Sequence, residues 1–216
     1  MDIGVLTFVT VALLALAVRA TIRAVQRRQW EGAIGRAWMA AILIALTVVA
    51  MWFEVGHDRQ QLLATRAMSA VTDNSDARAD CRRFMESFFS LGEYDGYVAR
   101  DNPDVAAIAN HSCRSLASYA AGPKDNPALD EIAAVHLIAH ESIHVNGYWS
   151  ESEAECRAAQ LNYLVAEELG ATESQARALQ ARYFAEIYPN LREGYVSREC
   201  REGGSLDMFP DRTAFP

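Results

Sequence analysis

The chain has 216 residues, of which 51% are hydrophobic and 22% charged, with four Cys, six Pro and a formal net charge of -8. That composition excludes a disordered or fibrous chain, and the length allows one or two domains. The acidic balance argues against nucleic acid as a partner, because displacing counterions from phosphates needs a basic face.

The average hides an asymmetry. Residues 1–53 hold five Arg (Arg19, Arg23, Arg27, Arg28, Arg36) against Asp2 and Glu31, a balance of +3 that leaves -11 to residues 54–216. In this front part, residues 3–18 and 37–53 are uncharged runs of sixteen and seventeen residues. As helices each covers about 25 Å, close to the roughly 30 Å of a hydrocarbon layer. Ala20 and Ile22 extend the first run, with Arg19 able to snorkel, and Gly35 extends the second. Trp38 and Trp52 stand at the two ends of the second run, where indole rings favour the membrane interface. Asp2 rather than a basic segment precedes the first run, and no small-x-small cleavage pattern follows it, so it reads as a span and not as a signal peptide.

Residues 1–53 are therefore expected to form a two-helix transmembrane hairpin in the lipid bilayer, with residues 19–36 as a basic loop. The positive-inside rule puts that loop in the cytoplasm. The expected topology is two-pass in a bacterial cytoplasmic membrane, with everything after Glu54 extracytoplasmic. Cys81, Cys113, Cys156 and Cys200 all fall in that exported part, where disulfides form and persist. Two bridges permit three pairings; Cys81 with Cys113 and Cys156 with Cys200 is favoured, and the others stay open.

Residues 54–80 read as a polar connector, helical over 59–70 and loosened by Thr72-Asp73-Asn74-Ser75-Asp76. Residues 81–216 read as the extracytoplasmic domain. A helix is expected over 79–91, with Phe84, Phe88 and Leu91 on one face and Gly92 and Gly96 beyond it. Asn102-Pro103-Asp104 reads as the N-cap and first two positions of a helix reaching residue 119. The same signal at Asn126-Pro127 opens a helix over 128–146 that stops at Gly147. Ser150-Glu151-Ser152-Glu153 reads as a capping box for a helix that ends at Gly170, and Thr172-Glu173-Ser174-Gln175 as another, for a helix running to Tyr188-Pro189. The tail reads as loop. No strand alternation or internal repeat stands out, so the expected fold class is mainly α.

The informative motif is His140-Glu141-Ser142-Ile143-His144, an H-E-x-x-H. On a helix, positions i and i+4 share a face, so both imidazoles can converge on one Zn2+. Glu141 follows the first ligand and is placed to act as general base on a zinc-activated water without ligating the metal. A catalytic zinc takes three protein ligands. Two helices joined by so short a turn run antiparallel, which brings Glu151 opposite His144 and Glu155 opposite His140, while Glu153 points away. Glu151 is read as the third ligand and Glu155 as the carboxylate that accepts the free N–H of His140; the exchange of those two roles stays open. The implied partner is a peptide or protein substrate, hydrolysed without a covalent intermediate. The alternative is a catalytically inactive, metal-braced extracytoplasmic binding module.

These residues resemble the gluzincin metallopeptidases, in which H-E-x-x-H is followed by E-x-x-x-D or E-x-x-A-D. Here Glu151-Ser152-Glu153-Ala154-Glu155 supplies the second motif, with Glu155 in place of the Asp and a shorter interval after His144. The resemblance implies a zincin-like helical domain with an antiparallel active-site helix pair. His144-x-x-Gly147 is also similar to metzincins, but their third histidine would fall at Ser150. The wider run, from Gly96-Tyr97 through Ala154-Glu155-Cys156 to Tyr195-Val196-Ser197-Arg198-Glu199-Cys200, is similar to exported actinobacterial HExxH membrane proteins.

Tyr195 and Tyr148 are candidate donors to the oxyanion of a tetrahedral intermediate. His136, one turn before His140, reads as a partly buried, hydrogen-bonded histidine, and His111 as structural. Arg198 is a candidate for a substrate carboxylate, although a solvated arginine is commoner. Cys156 reads as a bridging or packing residue and not a metal ligand.

Overall fold

The computed structural model describes residues 5–26, 33–83, 95–212 and 215. The chain is mainly helical and divides into two compact units, Met1–Arg59 and Gln60–Pro216. The first unit holds helix α1 (Val5–Gln26) and most of helix α2 (Ala33–Met68). Arg19 and Arg23 lie in α1 and Arg36 in α2, so both helices run past arginines expected in a connecting loop; no proline interrupts either stretch. Arg27, Arg28 and Glu31 lie outside the described residues.

Small side chains are buried in this unit (Ala17, Ala40, Thr47, Ala50), while large apolar ones face outward, among them Phe8, Ile42, Val48 and Trp52, the last 72% exposed. Each such side chain costs about 1.5–3 kcal/mol to keep in water, which a lipid environment removes. Among the described residues one helical segment, Ala37–Met68, is long and apolar enough to cross a membrane. Residues 54–68, expected as a connector with a helix of its own, continue α2 without a break. Gly56 alone costs a helix only about 1 kcal/mol, too little to end it.

The second unit contains a three-stranded sheet that the sequence reading lacked. Strands β1 (Arg78–Cys81), β2 (Gly96–Ala99) and β3 (Asn102–Ile108) lie in the order β1-β3-β2, with β1 parallel and β2 antiparallel to β3. Two expected helices are therefore corrected. Ala79 to Cys81 is strand, and Phe84, Phe88, Leu91 and Gly92 lie outside the described residues. Asn102-Pro103 opens a strand and not a helix. Proline is tolerated there because β1 pairs only from Val105 onward and the β2 register is irregular between Val98 and Ala99.

Helices α3 (Asn110–Ala121), α4 (Leu129–Val145), α5 (Glu151–Glu168) and α6 (Glu173–Arg182) follow, with a π-helical turn at Tyr183–Ile187 and a 3-10 turn at Tyr188–Asn190. α4 begins two residues after the expected Asn126-Pro127 signal. Arg182 engages the Asn126 side chain and the Pro127 carbonyl, and Glu131 instead accepts the Ala128 N–H at 2.9 Å. Thr172 and Gln175 do form the expected capping box. Ser150 and Glu153 do not: the Ser150 side chain makes no cap bond, and Glu153 pairs with Arg157 at 3.0 Å.

The core gathers Ile108 from the sheet, Leu116 from α3, Ile132, Val135 and Ile138 from α4, Val165 from α5 and Leu179 from α6. Alanines at 154, 158 and 159 are fully buried on α5, and small side chains of this kind let α4 and α5 approach closely. Gly147 ends α4 with a φ of 91°, a left-handed conformation that turns the chain into the five-residue link 146–150.

Two disulfides close the unit, Cys81 to Cys113 and Cys156 to Cys200, the pairing the sequence favoured. The first ties β1 to α3; the second ties α5 to the C-terminal segment. Their partners are 32 and 44 positions apart in sequence, for which loop closure in the unfolded chain contributes about 2–4 kcal/mol each. Urea unfolding of the full chain with and without dithiothreitol is expected to show that loss; coincident curves for oxidised and reduced protein would exclude a stabilising role for the bridges.

Candidate metal centre

Helix α4 carries His136, His140 and His144 on successive turns, and the short link 146–150 brings the first turns of α5, with Glu151 and Glu155, alongside them. His140 Nε2 and His144 Nε2 are 3.0 Å apart. Glu151 Oε2 lies 3.2 Å from the first and 3.3 Å from the second. Three donor atoms thus converge on one point where an ion could be held.

The far side of each ring fixes its orientation. His144 Nδ1 donates to the Tyr148 carbonyl at 2.7 Å, and a carbonyl can only accept. His140 Nδ1 lies 2.9 Å from Glu155 Oε2. With both Nδ1 atoms committed as donors, the neutral rings point two Nε2 lone pairs at each other and at a carboxylate oxygen. That arrangement repels unless a cation or a proton sits between them.

Glu155 is a buried hub. Its Oε1 accepts the hydroxyl of Tyr183 and stands 2.9 Å from His136 Nε2, a close contact off hydrogen-bond alignment. Tyr183 also stacks on His136, ring centroids 3.6 Å apart. The two carboxylates whose roles the sequence left exchangeable therefore sit differently: Glu151 faces both Nε2 atoms, and Glu155 faces His140 Nδ1 and His136. His136, His140 and Glu155 form a second group able to hold an ion.

Glu141 is 2% exposed, and its Oε2 has no hydrogen-bond partner among the described residues. Its carboxylate rests on the backbone of Gly96 at the start of β2. A methyl group at Gly96 would come 2.8 Å from Glu141 Oε1 and 3.2 Å from its Cγ, closer than side chains pack. The requirement for glycine at 96 is this close approach and not a helix break. Glu141, the three convergent donors and Glu155 share one cavity of 740 Å³, walled by β2, α4, the α4–α5 link and the segment from Tyr183 to Tyr195.

Of the candidate oxyanion donors, Tyr195 lines the cavity with its ring centroid 6.0 Å from that of His140. Tyr148 contributes its carbonyl to His144, and its ring lies under Arg157 at 4.0 Å, away from the cavity. His136 is buried. His111 is exposed, on the cavity rim, 3.1 Å from Asp95. Arg198 is exposed and lies away from the cavity. Trp149, Arg100 and Tyr183 also shape the site, and the sequence reading passed over all three, while Gly96 was read as a helix breaker.

Electrostatics follow from burial and contact. Burial lowers the basicity of His140, but hydrogen bonds to Glu151 and Glu155 outweigh it and hold its pKa up at about 10. Hydrogen bonds from His140 and His144 hold Glu151 down at about 2. Burial raises Glu155, yet the imidazoles of His136 and His140 overcome this and keep it below the usual carboxylate range. Burial also pushes His136 down, and with the Glu155 charge it pushes the Tyr183 hydroxyl up. Glu141 is raised to about 7 by burial, against the opposing pull of His140 and His144.

The raised value has a definite sign. The folded chain keeps a proton on Glu141 up to about pH 7, whereas the unfolded chain releases it near pH 4.3, so stability falls as pH rises between the two. In metal-stripped protein, Glu141→Gln is expected to leave stability unchanged near pH 4. The variant gains on the wild type as pH rises, levelling above pH 7 at about 3–4 kcal/mol. Urea unfolding at stepped pH measures the difference, and a gap that does not widen with pH refutes the assignment.

No family model, curated protein or solved structure matches this chain.

Proposed function

We propose that the chain is a membrane-anchored, gluzincin-like zinc peptidase whose site lies outside the cytoplasmic membrane. The observation that carries the proposal is the sharing of one cavity by three convergent donors and a buried, partly unsatisfied carboxylate, Glu141. A structural metal site has no use for the fourth group. Zinc suits the donor set, two imidazoles and a carboxylate, better than the all-oxygen ions magnesium and calcium. Ligands 2.0–2.1 Å from a common centre at tetrahedral angles lie about 3.3 Å apart, and the three donor atoms here are separated by 3.0, 3.2 and 3.3 Å.

In this reading His140, His144 and Glu151 hold the ion, and Glu155 and the Tyr148 carbonyl orient the two rings. Zinc supplies Lewis acidity, polarising the scissile carbonyl and drawing the pKa of a water toward 7. Glu141 takes a proton from that water as its oxygen bonds to the carbonyl carbon. The same carboxyl then gives the proton to the nitrogen as the C–N bond breaks, leaving an acid and an amine. A carboxyl whose pKa lies near the working pH serves both halves of that transfer best, and burial moves Glu141 in that direction. Tyr195 is the candidate donor to the carbonyl oxygen as negative charge develops on it.

The same proposal gives the chain two passes through the bilayer, the arginine-rich connector in the cytoplasm and the second unit outside it. Support comes from the apolar segment Ala37–Met68 and from two disulfides, which an oxidising compartment preserves.

Glu141→Gln is expected to bind one zinc per chain, as the wild type does, and to lose peptide cleavage by at least about a hundredfold. Metal content and cleavage of a mixed peptide library are the two measurements. Wild-type rates in the variant would remove Glu141 from the mechanism, and zinc without cleavage in the wild type would leave the metal-braced binding module. For topology, alkaline phosphatase fused at the C-terminus is expected to be active, and the same enzyme fused at the arginine-rich connector inactive; the reverse pattern would place the site in the cytoplasm.

A further inference from the structure

Beyond the metal ligands, the cavity carries a feature that peptide hydrolysis itself does not use. The ring of Trp149, in the α4–α5 link, stacks on His144 with centroids 6.0 Å apart and planes 22° from parallel. Arg100, in the tight turn between β2 and β3, sets its guanidinium carbon 5.0 Å from the centre of the same indole. All three line the cavity. A guanidinium over an aromatic face is held there by the ring's quadrupole, and its planar N–H edge stays available for a planar, bidentate acceptor.

The charges around it sharpen the point. The chain carries -11 after residue 53, and the cavity already holds the anions of Asp95 and Asp130. These two are engaged, Asp95 with His111 at 3.1 Å and Asp130 by the Ser115 hydroxyl at 2.9 Å. Arg192, the other cation of the lining, has interactions of its own. Arg100 is exposed, and among the described residues no carboxylate pairs with it. An acidic domain thus places an aromatic-braced arginine, with no carboxylate partner among the described residues, beside its most chemically equipped cavity.

We infer that Arg100, braced by Trp149, receives a carboxylate of the substrate. The inference rests on the peptidase reading and deepens it: the substrate class is an acidic peptide. The steps of 6.0 and 5.0 Å from His144 through Trp149 to Arg100 correspond to about three residues of extended chain at most, so the carboxylate lies within that distance of the bond cut. It comes either from an Asp or Glu side chain or from the peptide's own C-terminus.

Binding separates this inference from cleavage. The full-length, zinc-loaded Glu141→Gln chain in detergent is titrated calorimetrically with peptides in matched pairs, Asp against Asn at each position and C-terminal acid against amide. One pair is expected to differ by about tenfold or more, as charge-assisted pairing with a guanidinium provides. In Arg100→Gln that ratio should fall to near one, and Arg100→Lys should recover part of it. A preference that survives amidation and follows the Asp identifies a side-chain carboxylate; one abolished by amidation identifies the C-terminus. Equal affinities within every pair, or an unchanged ratio in Arg100→Gln, overturn the inference. Acid-selective binding through Arg100 without cleavage by the zinc-loaded wild type sinks the peptidase reading and leaves the carboxylate site standing. Cleavage without any acid preference does the reverse.

Discussion

Two imidazole nitrogens held 3.0 Å apart, each with its opposite ring nitrogen committed as a donor, set the terms for the rest of the second unit. Lone pairs do not face one another at that distance without a positive charge between them. The Glu151 oxygen, 3.2–3.3 Å from both, completes a set of three donors that could hold a metal ion in place of that proton. The packing of α4 against α5, the turn at Gly147 and the Tyr148 carbonyl all serve to bring these three atoms together.

Holding them there is costly. Glu155 and His136 are almost completely buried, and removing a carboxylate from water is expensive unless donors surround it. Glu155 has two, Tyr183 and His140, and His136 Nε2 stands 2.9 Å away beside them. Tyr183 reaches inward from a π-helical turn, an irregularity that tends to occur where a helix must redirect a side chain for function. This network stabilises the fold less than a well-packed apolar core of the same volume would. Its return is a fixed ring orientation for His140.

The parts of this arrangement that the sequence conveys are those encoded by short-range spacing. His140 and His144 are one turn apart on any helix, and five residues of link leave α5 little choice but to return beside α4. The start of α6 was legible for the same reason, since Thr172 and Gln175 cap it between themselves. Long-range partners were not legible. Strands of four to seven residues draw their stability from neighbours far along the chain, and β3 begins with an Asn-Pro pair that locally favours a helix start. Asn126 misled in the same way, its side chain being taken up by Arg182. Nothing near Gly96 announces that its backbone lies against Glu141. The tyrosine most closely involved with the histidine network, Tyr183, carries no local signal either; Tyr148 and Tyr195 drew attention by proximity to other motifs, and only Tyr195 brings its ring to the cavity.

The link between α4 and α5 has a further implication for how this molecule can vary. Each residue of an α-helix turns the next side chain through about 100°. Lengthening or shortening residues 146–150 by one position would swing Glu151 off the axis shared by the imidazoles and turn Glu155 away from His140, even with every side chain conserved. Insertions elsewhere, in the β2–β3 turn or the C-terminal tail, change what surrounds the site and leave its geometry alone. The length of this bend is therefore tied to the geometry of the three donors as closely as their identity is.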